Sequence, residues 1–235
     1  MLERLEQWVL TDVWLPPSGL QSKGGSPRRR PDAQNIANHG RLMAYVYERT
    51  QDPLFLVLPQ EMAAAGFGAG ANRFGTRATG LVFNYLPWFL ATLAANGNPQ
   101  ADRQIEISFV PASLRLAHGG NTSLEVTLKN NGTSAVESLQ VSLHSRLDIG
   151  IIAPSGTVTV VPPGQAATYR YAVEAPANLN ASCDYNRLAY VHLSAVYRRA
   201  GQACVAHRWI KLELDSAEPL ATNAPVAIPL PAVTR

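Results

Sequence analysis

Cysteine, charge and long apolar runs are all scarce in this sequence. Its two cysteines, Cys183 and Cys204, are interpreted as free thiols, because the strand register given below separates them. Only 16% of the residues are charged, and the net charge of +3 is too small and too dispersed to indicate nucleic-acid binding. No run of about 18 apolar residues occurs, which excludes a transmembrane helix from the prediction.

Catalytic and metal-binding signatures are also missing. The sequence has no Gly-x-Ser-x-Gly, His-Glu-x-x-His or Cys-x-x-Cys motif. Glu61 is a lone carboxylate, whereas glycoside hydrolysis usually needs two that face each other. Catalytic residues therefore stay unassigned, and neither a metal nor a cofactor is predicted. The first ten residues lack a signal-peptide layout, which favours the cytoplasm unless Met1 is not the natural start; the compartment stays open.

What the sequence does contain is a change of hydrophobic period near Gln100. Before it, apolar residues recur at the ~3.6-residue spacing of a helix, and after it they alternate as in a strand. This predicts an α+β fold in segregated parts, with helical hairpins followed by an antiparallel sandwich. The predicted parts are a helical region at 1–99, a sandwich at 103–216 and a Pro-rich tail at 217–235. The predicted helices include 32–50, 54–65 with a kink or break at Pro59, and 77–95.

The last predicted helix, residues 77–95, is apolar nearly all round, so it needs burial on several sides. The four helices expected before residue 100 offer too little apolar surface to cover this helix on all of its sides. It therefore packs on the sandwich or on a second subunit, or it is the end of a larger helical domain. The glycine-rich stretch at 66–75 follows no strand, so we interpret it as a loop between helices and not as a nucleotide cradle.

The terminal hairpin of the predicted sandwich can be placed in register. With Ala200–Gly201 at its tip, Val191 faces Ile210 and His192 faces Trp209. This register collects apolar side chains of both strands on one face, and a slip of one residue would break the match. The opposite face carries Tyr190, His192, Ser194, His207, Trp209 and Lys211.

Two interpretations of this aromatic and imidazole face stay open. In the first, the face is buried against the helices or a partner subunit. In the second, it is a sugar-stacking, ligand-binding surface with Tyr190 and Trp209 as platforms and His192 and His207 beside them. A metal pair formed by the two histidines is disfavoured, because no third ligand is visible nearby.

The segment 47–56, in which one helix ends and the next opens on Asp-Pro, resembles one repeat of an (α/α) toroid. Such toroids occur in many glycoside hydrolases and polysaccharide lyases, and residues 84–90 resemble their last helix. The resemblance implies that this chain is the C-terminal piece of a larger helical domain. It also implies a glycan cleft at helix ends and loops, to which four polar residues would belong: His39, Asn72, Arg73 and Arg77.

Residues 124–132, 161–165 and 171–176 resemble the CARDB and α-galactosidase-associated Ig-like domains. This implies a non-catalytic accessory or spacer sandwich. Together the resemblances predict a non-catalytic or incomplete C-terminal region of a carbohydrate-active protein, without detectable activity of its own. Its expected partners are a glycan, a second copy of the chain or a missing N-terminal helical domain. Neither nucleic acid nor a membrane is expected as a partner. The alternative is a self-contained assembly protein that uses helix 77–95 as an oligomer interface.

Overall fold

The computed structural model describes residues 14–15, 19–20, 33–68, 87–145, 149–154, 156, 158–177 and 188–215. Helix α1 is Ala33–Thr50, helix α2 is Leu54–Gly68, and residues 87–95 form a third helical segment, α3. The start of α2 follows from its sequence, because the Asp52 carboxylate accepts a 2.9 Å hydrogen bond from the Leu54 N–H. Pro53 follows the cap, where a missing N–H costs nothing.

The helical predictions are confirmed in part. Helix α1 matches the predicted helix within one residue. Helix α2 runs on past residue 65 to Gly68 with Pro59 inside it, so the predicted 66–75 loop begins too early. Of the predicted helix 77–95, only 87–95 lies within the described residues. None of the helices that the structure describes is long and apolar enough to cross a membrane.

A small antiparallel pair precedes the helices, and two larger sheets follow them. The pair joins β1 and β2. The first large sheet has the order β3-β11-β10-β7, with β5 also paired to β11, and the second has the order β4-β6-β9-β8. The strands are β1 Trp14–Leu15, β2 Gly19–Leu20, β3 Gln100–Ala101, β4 Ile105–Val110, β5 Leu114–Leu116, β6 Asn121–Asn130, β7 Val136–His144, β8 Gly150–Ile152, β9 Ala166–Glu174, β10 Leu188–Arg199 and β11 Gln202–Leu214.

The two large sheets form a β-sandwich, and the predicted register of its terminal hairpin is confirmed. Val191 pairs with Ile210, and His192 pairs with Trp209. Most pairings are antiparallel, but β3 and β5 run parallel to β11 and contact its two ends. Strand β4 lies between them in the chain and pairs with β6 in the other sheet. The chain therefore crosses between the sheets twice within residues 100–116.

Two hydrophobic cores lie on opposite faces of the β10–β11 hairpin. The first fills the space between the sheets and includes Leu124, Leu193 and Ile210. The second joins Val205 to the buried side chains of the helices, with Val196 and Trp209 packed against it. The helical part thus lies on the outer face of the first sheet. Cys204, on the sandwich side, is a buried free thiol, and Cys183 lies outside the described residues.

A buried polar cluster holds one end of the sandwich together. The Arg199 guanidinium, 12% exposed, contacts the Asp102 carboxylate, 8% exposed, at 2.8 Å. It also donates to the Asn130 side-chain oxygen and to the Ser134 carbonyl. Asn130 is fully buried, and its amide donates to the carbonyls of Ser134 and Val161. The cluster joins β10, the β3–β4 connection and the β6–β7 turn.

Gly132 provides a test of how closely this cluster is packed. A Cβ atom added here would overlap the Arg199 guanidinium and lie 2.6 Å from the Gln104 side-chain oxygen. We expect Gly132→Ala to lower the free energy of unfolding by about 1–3 kcal/mol, because the guanidinium must move. Urea unfolding measures the change.

Gly150→Ala is the matched control for that substitution. Its added Cβ would make only ordinary contacts, the nearest at 3.7 Å from Glu174. We expect a change within about 0.5 kcal/mol at this position. Equal losses of stability in the two variants would contradict the packing argument.

Candidate functional site

The centre of the aromatic and imidazole face of the hairpin is covered rather than open. His192 is fully buried and Ser194 is 1% exposed, although both point away from the sandwich core. Trp209 packs against the core formed with the helices, and so does Val196. The sequence left two interpretations of this face open, and burial against the helical part describes its centre. A sugar could not stack on the ring of His192 without displacing what covers it.

Three histidines and one tryptophan form a continuous row of rings across β7, β10 and β11. The His192 ring centroid lies 6.0 Å from that of His144 and 5.6 Å from that of His207. The Trp209 centroid lies 4.3 Å from His192 and 4.9 Å from His207. His144 and Trp209 are the direct cross-strand neighbours of His192. The pairing of the strands thus brings the row together.

The row is linked to the helices through a carboxylate. His207 Nε2 lies 2.7 Å from the Glu61 carboxylate, which belongs to α2. The His207 side chain is 7% exposed and that of Glu61 is 27% exposed. Gln60, the residue before Glu61, makes a second polar contact: its side-chain amide donates a 3.1 Å hydrogen bond to the Pro99 carbonyl. Adjacent side chains of α2 therefore fasten the helix to the sheet and to its entry segment.

Burial controls the protonation of the two inner histidines. Desolvation lowers the pKa of His144 from 6.5 to about 4. Desolvation also places the pKa of His192 well below 6.5, and the neighbouring His207 and His144 lower it further. Neither ring nitrogen of His192 has a hydrogen-bond partner among the described residues. Both rings are therefore neutral at pH 7.

A cleft of about 490 Å³ opens beside the Glu61–His207 pair. It lies where the chain leaves β3 for β4, against the edge of β11. Its lining combines apolar side chains with carboxylates, two guanidinium groups and ring side chains; these polar and ring residues are Glu61, Asp102, Arg103, Glu106, His207, Arg208 and Trp209. Asp102 is already neutralised by Arg199, and Arg208 donates to the Ile107 carbonyl. Exposed Arg103 and Glu106 are the side chains best placed to meet a ligand.

The residues nominated from the sequence fall into three groups. His192, His207 and Trp209 lie together in the row of rings. Tyr190 is on the same face but only partly buried, one cross-strand pair further along, opposite Lys211. His39 lies within α1, but its side chain is not among those that the structure describes. Three other nominated residues lie outside the described residues altogether: Asn72, Arg73 and Arg77.

Sequence reasoning missed His144 and left Glu61 without a role. A local signal for His144 existed, because the alternation of Leu139, Val141 and Leu143 puts residue 144 on the outer face. That signal does not say which strand lies beside β7. The position of Glu61 depends on how α2 docks, for which the chain offers no local signal.

The row of histidines is not arranged as a metal centre. Among the residues that the structure describes, no group of three or more His, Cys, Asp or Glu side chains is placed to hold a metal ion. Within the row, His207 uses Nε2 toward Glu61. A two-histidine site would lack further ligands, and protein zinc sites use at least three.

Comparison with known proteins gives limited similarity. No protein-family model and no curated protein matches the chain. Among solved structures, the VesB protease of Vibrio cholerae is 17% identical with a TM-score of 0.32, and the match covers 47% of this chain and 32% of VesB. The GAE domain of GGA2p from Saccharomyces cerevisiae is 14% identical with a TM-score of 0.33, covering 46% of this chain and 85% of that domain. These similarities assign neither a family nor a function.

Proposed function

We propose that this chain is a non-catalytic accessory region at the C-terminal end of a carbohydrate-active protein. In this proposal an Ig-like sandwich is fixed to the last helices of an (α/α) domain. The observation that carries it is the shared core, in which Val205 and Trp209 of β11 pack with side chains of the helices. A flexible spacer would not need such a core, whereas a module that holds a fixed position on its neighbour does.

The strand orders support the Ig-like part of the proposal. Named along the chain, β4, β6, β7, β8, β9, β10 and β11 take the positions A to G. Among these seven strands, without the short β3 and β5, the sheet orders are A-B-E-D and G-F-C, which are those of a constant-type immunoglobulin sandwich. Sandwiches of this kind are used as accessory and adhesion modules with many unrelated functions, so the fold alone does not specify a ligand.

The carbohydrate part of the proposal rests on the sequence resemblances and on the chemistry of the cleft. Its carboxylates accept hydrogen bonds from hydroxyl groups and its guanidinium groups donate to them. Trp209 lines the same cleft and supplies part of its apolar surface. Ligand sites combine such a surface with a few convergent polar groups, in cavities of about 300–1,000 Å³.

Affinity electrophoresis of the whole chain in gels that contain soluble polysaccharides tests the glycan part. We expect retardation by at least one polysaccharide and a roughly tenfold loss of affinity, about 1.4 kcal/mol, in Arg103→Ala or Glu106→Gln. Lys129→Ala, exposed on the other sheet, is the control and keeps the wild-type affinity. A wild-type chain that no polysaccharide retards contradicts the glycan part.

A product assay on the same polysaccharides tests the non-catalytic part. We expect neither new reducing ends nor unsaturated products from the wild-type chain. Glu61→Gln is the diagnostic variant, because Glu61 is the cleft carboxylate in contact with an imidazole. Turnover by the wild type that this variant abolishes would make the chain an enzyme.

A second candidate function, self-assembly through α3, is favoured by one observation. Trp88 is 39% exposed and Leu90 is 51% exposed, although Phe89 and Leu93 on the same helix are buried. Apolar side chains left at the surface of a helix are typical of contact sites. Light scattering coupled to size exclusion decides between a monomer, which contradicts this candidate, and an oligomer that Leu90→Glu dissociates.

A further inference from the structure

His192 occupies an unusual place in this molecule. It lies on β10 between the two cores, it is fully buried, and neither ring nitrogen has a hydrogen-bond partner among the described residues. A neutral imidazole has one donor and one acceptor, and a protonated one has two donors and a positive charge. This position therefore tolerates the neutral ring, and the described residues offer no acceptor for the N–H that a second proton would create.

The groups around His192 offer little compensation for a positive charge. On β7 and β11 its neighbours are the imidazoles of His144 and His207, and neither ring carries a negative charge that could offset a positive one. From the helices, Glu61 is the acidic side chain that contacts the row, and it contacts His207 and not His192. Further along the same face are Tyr190 and Lys211, and Lys211 already pairs with Glu213.

We propose that the contact between the helical part and the sandwich is an acid-sensitive joint, which opens when the buried rings of His144 and His192 become protonated while the sandwich core stays folded. This goes beyond the accessory function, because it makes the fixed position of the helices conditional on pH. It does not depend on a glycan ligand or on the origin of the helices.

Opening at the joint is favoured over unfolding of the whole chain because the two cores are separate. The histidine row lies on the outer face of the first sheet, with Trp209 in contact with the helical core. Leu193 and Ala195, on the inner face of the same strand, belong to the sandwich core, and both are fully buried. Water can therefore reach the histidine row by displacement of the helices, with no strand leaving its sheet.

The direction of the pH effect follows from linkage. A histidine whose pKa is lower in the folded protein than in the open form binds its proton preferentially in the open form. Such a histidine stabilises the closed joint fully at pH values above its ordinary pKa of 6.5. This stabilisation falls as the pH decreases toward the pKa of the histidine in the folded protein. For His144 the folded pKa is about 4, and that of His192 is also well below 6.5. The joint should weaken progressively below pH 6.5.

Hydrogen–deuterium exchange of the whole chain between pH 7.5 and pH 4.5 tests the proposal, with exchange times corrected for the intrinsic effect of pH. We expect peptides from α1 and α2 to lose protection by at least tenfold on acidification. Peptides from β6 and β9, whose buried apolar side chains belong to the sandwich core, should keep their protection. Loss of protection in both groups at the same pH would mean global unfolding and would overturn the proposal.

Variants of the row identify the groups responsible. We expect His192→Leu to shift the opening to lower pH, because the buried position can no longer take up a proton, and His192→Gln to do the same without a change in polarity. His118→Leu, in the β5–β6 turn, is the matched control and should open at the wild-type pH. Unchanged opening in both His192 variants would overturn the proposal, even if one of them proves unstable.

Glu61→Gln provides an independent readout of the same joint. The Glu61 carboxylate contacts His207 from α2, so Glu61→Gln removes the negative charge from the contact that links this helix to the row. We expect this variant to open at higher pH than the wild type. A shift to lower pH would contradict the arrangement.

Discussion

Replacement of Arg199 by alanine should destabilise the protein by about 3–5 kcal/mol, which is a large fraction of the stability of a domain this size. The Asp102 carboxylate, 8% exposed, would lose the positive charge that it contacts at 2.8 Å. The Asn130 oxygen would lose two donors from the same guanidinium. Because Asn130 is fully buried, water cannot readily replace them.

Urea unfolding followed by tryptophan fluorescence and circular dichroism measures this loss. Arg198→Ala is the control, since the neighbouring arginine is exposed and donates to the Gly201 carbonyl at the hairpin tip. We expect a change within about 0.5 kcal/mol for the control. If the two variants lose similar amounts, the buried cluster does not stabilise the sandwich as we describe.

The second large effect is expected at Val205, the β11 side chain that is fully buried among those of the helices. Val205→Asp would place a carboxylate in this apolar core and remove the contacts of the valine. We expect a loss of about 4 kcal/mol, from the lost transfer free energy and the buried charge. The loss should fall on the attachment of the helices, because residue 205 points away from the sandwich core.

Hydrogen exchange at neutral pH separates the two parts in this variant. Peptides from α1 and α2 should become unprotected while those from β6 and β9 stay protected. Ala203→Asp, partly exposed near the hairpin tip and on the same face of β11, is the matched control and should leave both groups protected. Helical peptides that stay protected in Val205→Asp would show that the outer face does not hold the helices.

Local features of the fold could be predicted well from the sequence. The helix that opens at Asp52–Pro53 and the register of the hairpin around Ala200–Gly201 are as predicted. Both depend on interactions between residues close in the chain, or on a tip that fixes the pairing of two adjacent strands. The paired strands β3 and β5 were not predicted, because two or three residues are too few to show a period.

The candidate site was harder to predict for the same physical reason. Alternation along the hairpin placed His192, His207 and Trp209 on one face, and the structure confirms that they lie together. The alternation could not indicate whether this face was exposed to solvent or covered by another element. Contacts that close the site, such as Glu61 with His207, join residues 146 positions apart. No periodicity within one element encodes such a contact.

The sequence by itself determined where helices give way to strands, which face of each strand is apolar, and how the last two strands pair. Those properties follow from side-chain periodicity and turn chemistry, which act over a few residues. Only the tertiary structure decided that the helices cover the outer face of the first sheet. It also decided that the chain crosses between sheets around β4 and that Arg199 neutralises Asp102, 97 residues away. These depend on complementary surfaces and charges that meet only after the elements have formed, so a local pattern specifies the face but not its partner.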